Sequence, residues 1–257
     1  MIRWSALKRR TVNLQWLSLR KPLLGLIIAG GVLACACHTA QSQTPPGPDE
    51  FAAYTALHAA VVGGSTIEIQ RLVRDGADLN ARDSFGRTPL MVAAFRRDAA
   101  VARALIELGA NVNALEHQSY DVMTIAAVQN DLDMLKLAIA SGGNARAITS
   151  PYGGTALIAA AHLGHVEVVD ALIAARAPVD HVNSLGWTAL LEAIVLGDGG
   201  PRHQATVEAL IKGGASLQLG NRDGATPLSL ARTKGYAGIV RLLEQAGAPS
   251  NAPAKQE

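Results

Sequence analysis

Residues 76–94 read Gly76-Ala77-Asp78-Leu79-Asn80-Ala81-Arg82-Asp83-Ser84-Phe85-Gly86-Arg87-Thr88-Pro89-Leu90-Met91-Val92-Ala93-Ala94, and two phrases within this stretch return along the chain. The Thr88-Pro89-Leu90 phrase recurs at Thr55-Ala56-Leu57-His58-Ala59-Ala60, Thr155-Ala156-Leu157, Thr188-Ala189-Leu190 and Thr226-Pro227-Leu228. The Gly76-Ala77-Asp78-Leu79-Asn80-Ala81 phrase recurs as Gly109-Ala110-Asn111-Val112-Asn113-Ala114, with weaker copies at Gly142, Gly214 and Gly247. Residues 55 and 88, 76 and 109, and 155 and 188 are each separated by the same interval, so two independent phrases share one period. A shared period marks tandem supersecondary units that bury their apolar faces only by stacking.

The residue types explain the unit. Thr offers its hydroxyl to a helix N-terminus, Pro tolerates the first helical position because no donor is lost there, and the following Leu opens a buried stripe. Paired alanines let neighbouring helices approach closely. Ile67-Glu68-Ile69-Gln70-Arg71-Leu72-Val73 has the spacing of a second, amphipathic helix, ended by the left-handed Gly of the Gly-Ala phrase. Period and phrases together resemble the ankyrin repeat, over about six units spanning 50–249. The resemblance implies an all-α solenoid of helix-turn-helix units with short β-hairpin loops. It also implies a non-catalytic, monomeric protein-binding scaffold that needs no cofactor.

Three departures stand out. Asp121-Val122-Met123-Thr124 replaces the Thr-Pro-Leu phrase in the third unit, where Asp is expected to take over the capping role. Arg176 replaces the helix-ending Gly in the fourth, at a cost of about 1 kcal/mol if the backbone stays left-handed. About five extra residues fall within Gly197–His203 of the fifth, either as a functional finger or as a tolerated surface loop.

Ahead of the repeats, the first 21 residues hold Arg3, Lys8, Arg9, Arg10, Arg20 and Lys21, and the first acidic residue is Asp49. An apolar run, Leu23 to Ala34, and small residues follow in the order of a secretory signal. The run is shorter than the roughly 20 residues of a spanning helix, and Gly30-Gly31 weakens it as a retained anchor. The expected organisation is a signal peptide over 1–36, a flexible Pro-rich linker over 37–49, the repeat domain over 50–249 and a disordered tail over 250–257. Val32-Leu33-Ala34-Cys35 resembles a lipobox, which makes Cys35 a lipidation candidate and implies a periplasmic protein anchored at the outer membrane; ordinary cleavage after Ala36 or Ala40 gives a soluble periplasmic one. Arg9-Arg10 lacks the hydrophobic pair of a twin-arginine signal in Thr11-Val12-Asn13. If the leader is not an export signal, the protein would instead be a cytoplasmic or host-directed ankyrin effector.

From residue 35 onward 17 basic residues face 21 acidic ones, so the body offers no basic field for nucleic acid or anionic lipid. Any membrane association therefore rests on the lipid anchor. Both cysteines, Cys35 and Cys37, lie at the leader's end, which excludes an internal disulfide in the repeats. No phosphate loop, nucleophile elbow or paired-Cys metal motif is present. His162, His165 and Glu167 have a superficial metal-site spacing, but Gly164-His165 before Val166 is how an ankyrin second helix begins, and His58 sits where the ring bonds within the scaffold. Glu192 and Asp198 have no partner that spacing identifies.

In ankyrin arrays a partner is held by hairpin tips and by the exposed edge of the first helix. Phe51, Tyr54, Phe85, Phe95, Tyr120, Tyr152 and Trp187 fall at those positions, and Tyr236 does not. Tyr54, Tyr120 and Trp187 precede the capping residue in units one, three and five, as a ladder of aromatics would. Arg87, Arg96 and Arg97 form a basic cluster in unit two. The candidate partner-binding residues are Tyr54, Phe85, Arg87, Phe95, Arg96, Tyr120, Tyr152 and Trp187; the competing reading has the rings pack between hairpins and the arginines form a solvated face. The resemblance leaves two further roles open: an inhibitor or immunity protein against a secreted effector, and an accessory to envelope peroxide defence.

Overall fold

Side-chain oxygens start most of the helices. Thr88, Asp121, Thr155, Thr188 and Thr226 each accept from a backbone amide three residues on, and Ser65, Asp98 and Asp131 do the same for second helices. The computed structural model, which describes Gln43 and residues 45–249, contains thirteen helices among those residues, eight of them begun by these caps. A short α1 (Pro48–Ala53) leads into six antiparallel pairs: α2 (Ala56–Val62) and α3 (Thr66–Arg74), α4 (Pro89–Phe95) and α5 (Ala99–Glu107), α6 (Val122–Gln129) and α7 (Leu132–Ala140), α8 (Ala156–Leu163) and α9 (Val166–Ala174), α10 (Ala189–Val195) and α11 (Pro201–Lys212), α12 (Pro227–Thr233) and α13 (Ala237–Gln245). The signal peptide, Cys35 and the 250–257 tail lie outside the described residues. Pro48 starts α1 inside the stretch expected to be linker, with Asp49 and Glu50 in its first turn, where acidic side chains favour a helix N-terminus.

The even-numbered helices from α2 to α12 form one row and the odd-numbered ones from α3 to α13 another, each helix packing on its counterparts in adjacent units. The core is a continuous seam. Leu57, Leu90, Met123, Leu157, Leu190 and Leu228 take the same place in successive first helices and are all buried, as are Ala93, Ala126, Ala160, Ala193 and Ala231. Small residues at these points let the backbones close up, which is why alanine is so frequent in the sequence.

Between pairs the chain turns back on itself. Asp83 donates its amide to Arg87, Glu116 to Tyr120, Thr149 to Gly154, Asn183 to Trp187 and Asn221 to Ala225. The tips place Gly86, Ser119, Gly153, Gly186 and Gly224 at positive φ. These are the expected hairpin-shaped loops, but no strand forms among the described residues. Adjacent tips are joined by isolated backbone bonds, His117 N to Phe85 O at 3.1 Å and Ser184 N to Tyr152 O at 2.8 Å, too sparse for a ladder.

The departures resolve individually. Asp121 caps α6 through Thr124 N at 2.7 Å, as expected. Arg176 does hold the left-handed conformation, at φ +64. In unit one, where the chain arrives from α1 rather than from a hairpin, the Thr55 side chain makes no cap bond and Ala56 is at φ +49. The extra residues of unit five are divided: α11 has 12 residues against 9 in the other second helices, and only the link 196–200 is longer loop. That link is pinned rather than free. Gln204 Nε2 donates to Gly199 O at 2.8 Å, Tyr236 Oη to Gly197 O at 2.8 Å, and a Cβ on Gly197 would meet Ala193 O at 2.1 Å.

Candidate partner-binding face

The candidate residues divide by burial. Arg87 is 1% exposed, so it belongs to neither a partner-contacting cluster nor a solvated face. Its Nε donates to Asp83 Oδ2 at 2.6 Å and its Nη2 pairs with Glu50, tying α1 to the first hairpin. Tyr54 Oη donates to the same Asp83 carboxylate at 2.6 Å, and its ring stacks against Phe51 and His58 rather than along a ladder. Burial first, then the Asp83 bond, pushes the Tyr54 phenol above its ordinary range. Burial alone would raise the Asp83 carboxyl; bonds from Tyr54, the Arg87 side chain and backbone amides outweigh that and hold it low.

Tyr120 is also withdrawn from solvent, at 8% exposed, and burial followed by its neighbours Tyr152 and Glu116 pushes its phenol up to about 12. It is therefore a packing residue. The aromatic ladder is not one surface: Tyr54 and Trp187 are half-buried where Tyr120 is buried. Tyr152 and Phe95 are half-buried as well. What remains open on this side is Phe85, 42% exposed with the Arg87 guanidinium 4.5 Å from its ring centroid, and Arg96 and Arg97. Arg96 lies over Phe51 at 5.6 Å and Arg97 reaches Asp131 Oδ2 at 3.4 Å.

A second set of exposed side chains is aliphatic and lies outside the aromatic and arginine candidates. Leu115, Ile148 and Val182 take the same offset in consecutive loops and stand exposed, Ile148 by 55%, with Leu185 on the fourth tip. The signal was available: each sits six residues after a helix-ending Gly109, Gly142 or Arg176, where unit one has Arg82. A row of exposed apolar side chains at one offset on adjacent loops is an unusual expense for a soluble surface and fits a docking edge.

The polar candidates are structural. His58 Nε2 lies 3.1 Å from Arg87 O and His165 Nδ1 2.9 Å from Ala127 O, each a bond between adjacent units. Glu192, 4% exposed, accepts from Asn183 Nδ2 at 2.8 Å, while His162 Nδ1 is 3.5 Å from its other oxygen, too far for a good hydrogen bond. Burial pushes the Glu192 carboxyl up to about 7 and the His162 ring down, so this contact is not a charged ion pair at neutral pH. Asp198 is held low by the Gly200 amide and then by His203, whose Nδ1 lies 2.7 Å away. No group of three His, Cys, Asp or Glu able to hold a metal occurs among the described residues.

A family model described as ankyrin repeats (3 copies) matches residues 27–116 and 123–219. The chain belongs to the ankyrin-repeat family. Over 186 residues it is 36% identical to the ankyrin repeat protein YahD of Escherichia coli (strain K12), covering 72% of this chain and 92% of that one. An ankyrin repeat domain from Acinetobacter baumannii AYE is 44% identical with a TM-score of 0.72, covering 75% of this chain and 98% of that one. The ankyrin repeat protein EF0377 is 30% identical with a TM-score of 0.68 at the same two coverages. Ankyrin-repeat proteins are generally non-catalytic interaction scaffolds.

Proposed function

We propose that this ankyrin protein is exported and holds another protein in the bacterial envelope through its loop tips and the adjoining ends of its first helices. The observation that carries the binding reading is the exposed apolar set Phe85, Leu115, Ile148, Val182 and Leu185, spread over consecutive loops of one stacked array. The loops are held by their own turn bonds and by neighbours, so their ordering is complete before a partner arrives and little conformational entropy is lost on binding. Export rests on the basic start, the apolar run and the small residues at Cys35, as does the choice between an acylated Cys35 and a soluble periplasmic form.

Crosslinking and affinity capture from native envelopes test the first half. The triple variant Phe85→Ser, Ile148→Ser, Leu185→Ser changes loop side chains that lie outside the buried helix seam, so the array is expected to stay folded and to lose a partner that the parent chain retains. Capture of the same partner by both chains would overturn the assignment of the face. Fractionation with a mass measurement of the mature N-terminus tests the second half. A diacylated Cys35 and a free end after Ala36 or Ala40 differ in mass, and an uncleaved chain in the cytoplasm removes the export reading.

A further inference from the structure

The most N-terminal described side chain, Gln43, is directed into the array. It lines a pocket with Phe85 from the first loop tip, Phe95 from the end of α4, and Glu116, Gln118 and Tyr120 from the next loop, with Arg87 alongside. Pro46 is buried a few residues later, and Glu50 in α1 is paired with Arg87, so this part of the chain is drawn across the first two loops. The pocket thus lies on the face assigned to the partner, and the chain's own residue fills it.

That residue is poorly satisfied. Among the described residues neither the nitrogen nor the oxygen of the buried Gln43 carboxamide has a hydrogen-bond partner, and Oε1 of Gln118, in the same pocket, lacks one too. Native interiors seldom leave such groups unpaired, because each has given up its bonds to water. The orphaned Gln43 carboxamide and the unpaired Gln118 oxygen in one aromatic-walled pocket mean that Gln43 lies there without matching the pocket's polar groups. Connectivity to α1 and the stiff extended path set by Pro45 and Pro46 keep Gln43 there.

We infer that Gln43, Pro45 and Pro46 are an intramolecular occupant of a pocket built for an extended, proline-containing segment of a partner protein, one whose side chain at the Gln43 position donates to Gln118 and Glu116. The inference rests on the reading of this face as protein-binding. Its consequence is that the unbound protein masks part of its own groove and that a better-matched segment displaces the mask.

The test uses the full chain and fluorescent peptides with the sequence of residues 41–49. In one form of the chain, Gln43→Gly with Pro46→Gly frees the pocket; circular dichroism and melting confirm that the fold is kept. The peptide is expected to bind the freed chain about tenfold more tightly than the parent, the factor that follows when only about one parent chain in ten has the pocket open. A Gln43→Arg peptide, richer in donors, is expected to bind more tightly still, and Phe95→Ser in the freed chain to remove binding. Equal affinity for parent and freed chains, insensitivity to Phe95→Ser, or no saturable binding up to millimolar peptide would each overturn the proposal. If the peptide fails while envelope capture still depends on Phe85, Ile148 and Leu185, only the pocket is withdrawn and the protein-binding reading stands.

Discussion

Arg176 holds, at φ +64, the helix-ending place that Gly76, Gly109, Gly142, Gly214 and Gly247 hold at φ between +84 and +102 in the other units. Without a Cβ those glycines meet no steric penalty there, whereas Arg176 carries left-handed strain of about 1 kcal/mol. Arg176→Gly relieves it but gives the unfolded chain more freedom, so a net gain of about 0.5 kcal/mol is expected in urea denaturation. The converse substitution isolates the strain. A Cβ on Gly142 meets nothing within 4 Å, so the roughly 1 kcal/mol loss expected for Gly142→Ala is purely conformational. A gain from Gly142→Ala, or a loss from Arg176→Gly, would show that these positions do not control the turn.

Among the elements, α8 and α10 meet around Glu192, whose partners are supplied from a distance: Asn183 from the preceding loop and His162 from the neighbouring unit. Burial raises the folded carboxyl to about 7 from an ordinary 4.5, against the lowering effect of Asn183. The folded state therefore binds the proton more tightly than the unfolded state between those values. The stability this group contributes is complete below about pH 4.5, falls as pH rises and is gone by about pH 7. Over that window the change is about 3 kcal/mol at 1.36 kcal/mol per pKa unit. Glu192→Gln keeps an oxygen for Asn183 and cannot ionise. Its stability is expected to be flatter than the parent's between pH 4.5 and 7.5 and greater at pH 8, read from urea midpoints at each pH; parallel profiles would mean that the carboxyl is not buried as described. His162 faces the other Glu192 oxygen with its own ring held neutral by burial and then by His203, so it does not supply the missing charge.

At the scale of the whole molecule, the main helix contacts among the described residues join adjacent units, which makes stability approximately a sum of neighbouring interfaces. Arg87 is the tie at one end, joining α1 through Glu50 and the first loop through Asp83. Arg87→Met leaves Asp83 buried without its cation, at a cost of about 3 kcal/mol. Because only neighbours communicate, the loss is expected to stay local: amides of α2 and α3 exchange about 100-fold faster while those of α8 and α9 are unchanged in native-state hydrogen exchange. Equal acceleration in both helix pairs would mean that the array unfolds as one cooperative block.

The architecture was legible in sequence because each unit repeats local rules: a capping oxygen, a Pro or Ala, a buried Leu and a left-handed turn residue, all set by residues within a few positions of one another. Even the exceptions, Asp121 and Arg176, kept the backbone roles their positions required. The candidate site was only partly legible. Position in the repeat placed Arg87 and Tyr120 at the partner's edge, but an exposed and a buried side chain can occupy the same sequence slot. Which one results depends on Glu50 and Asp83 reaching Arg87, and on Gln43, Phe85 and Phe95 gathering beside Tyr120. The sequence by itself thus determined the number, order and fold of the units, since these follow from local propensity and period. Only the tertiary structure decided which side chains face a partner, because solvent exposure depends on residues roughly a repeat away packing over them, as Gln43 does in the pocket between Phe85 and Tyr120.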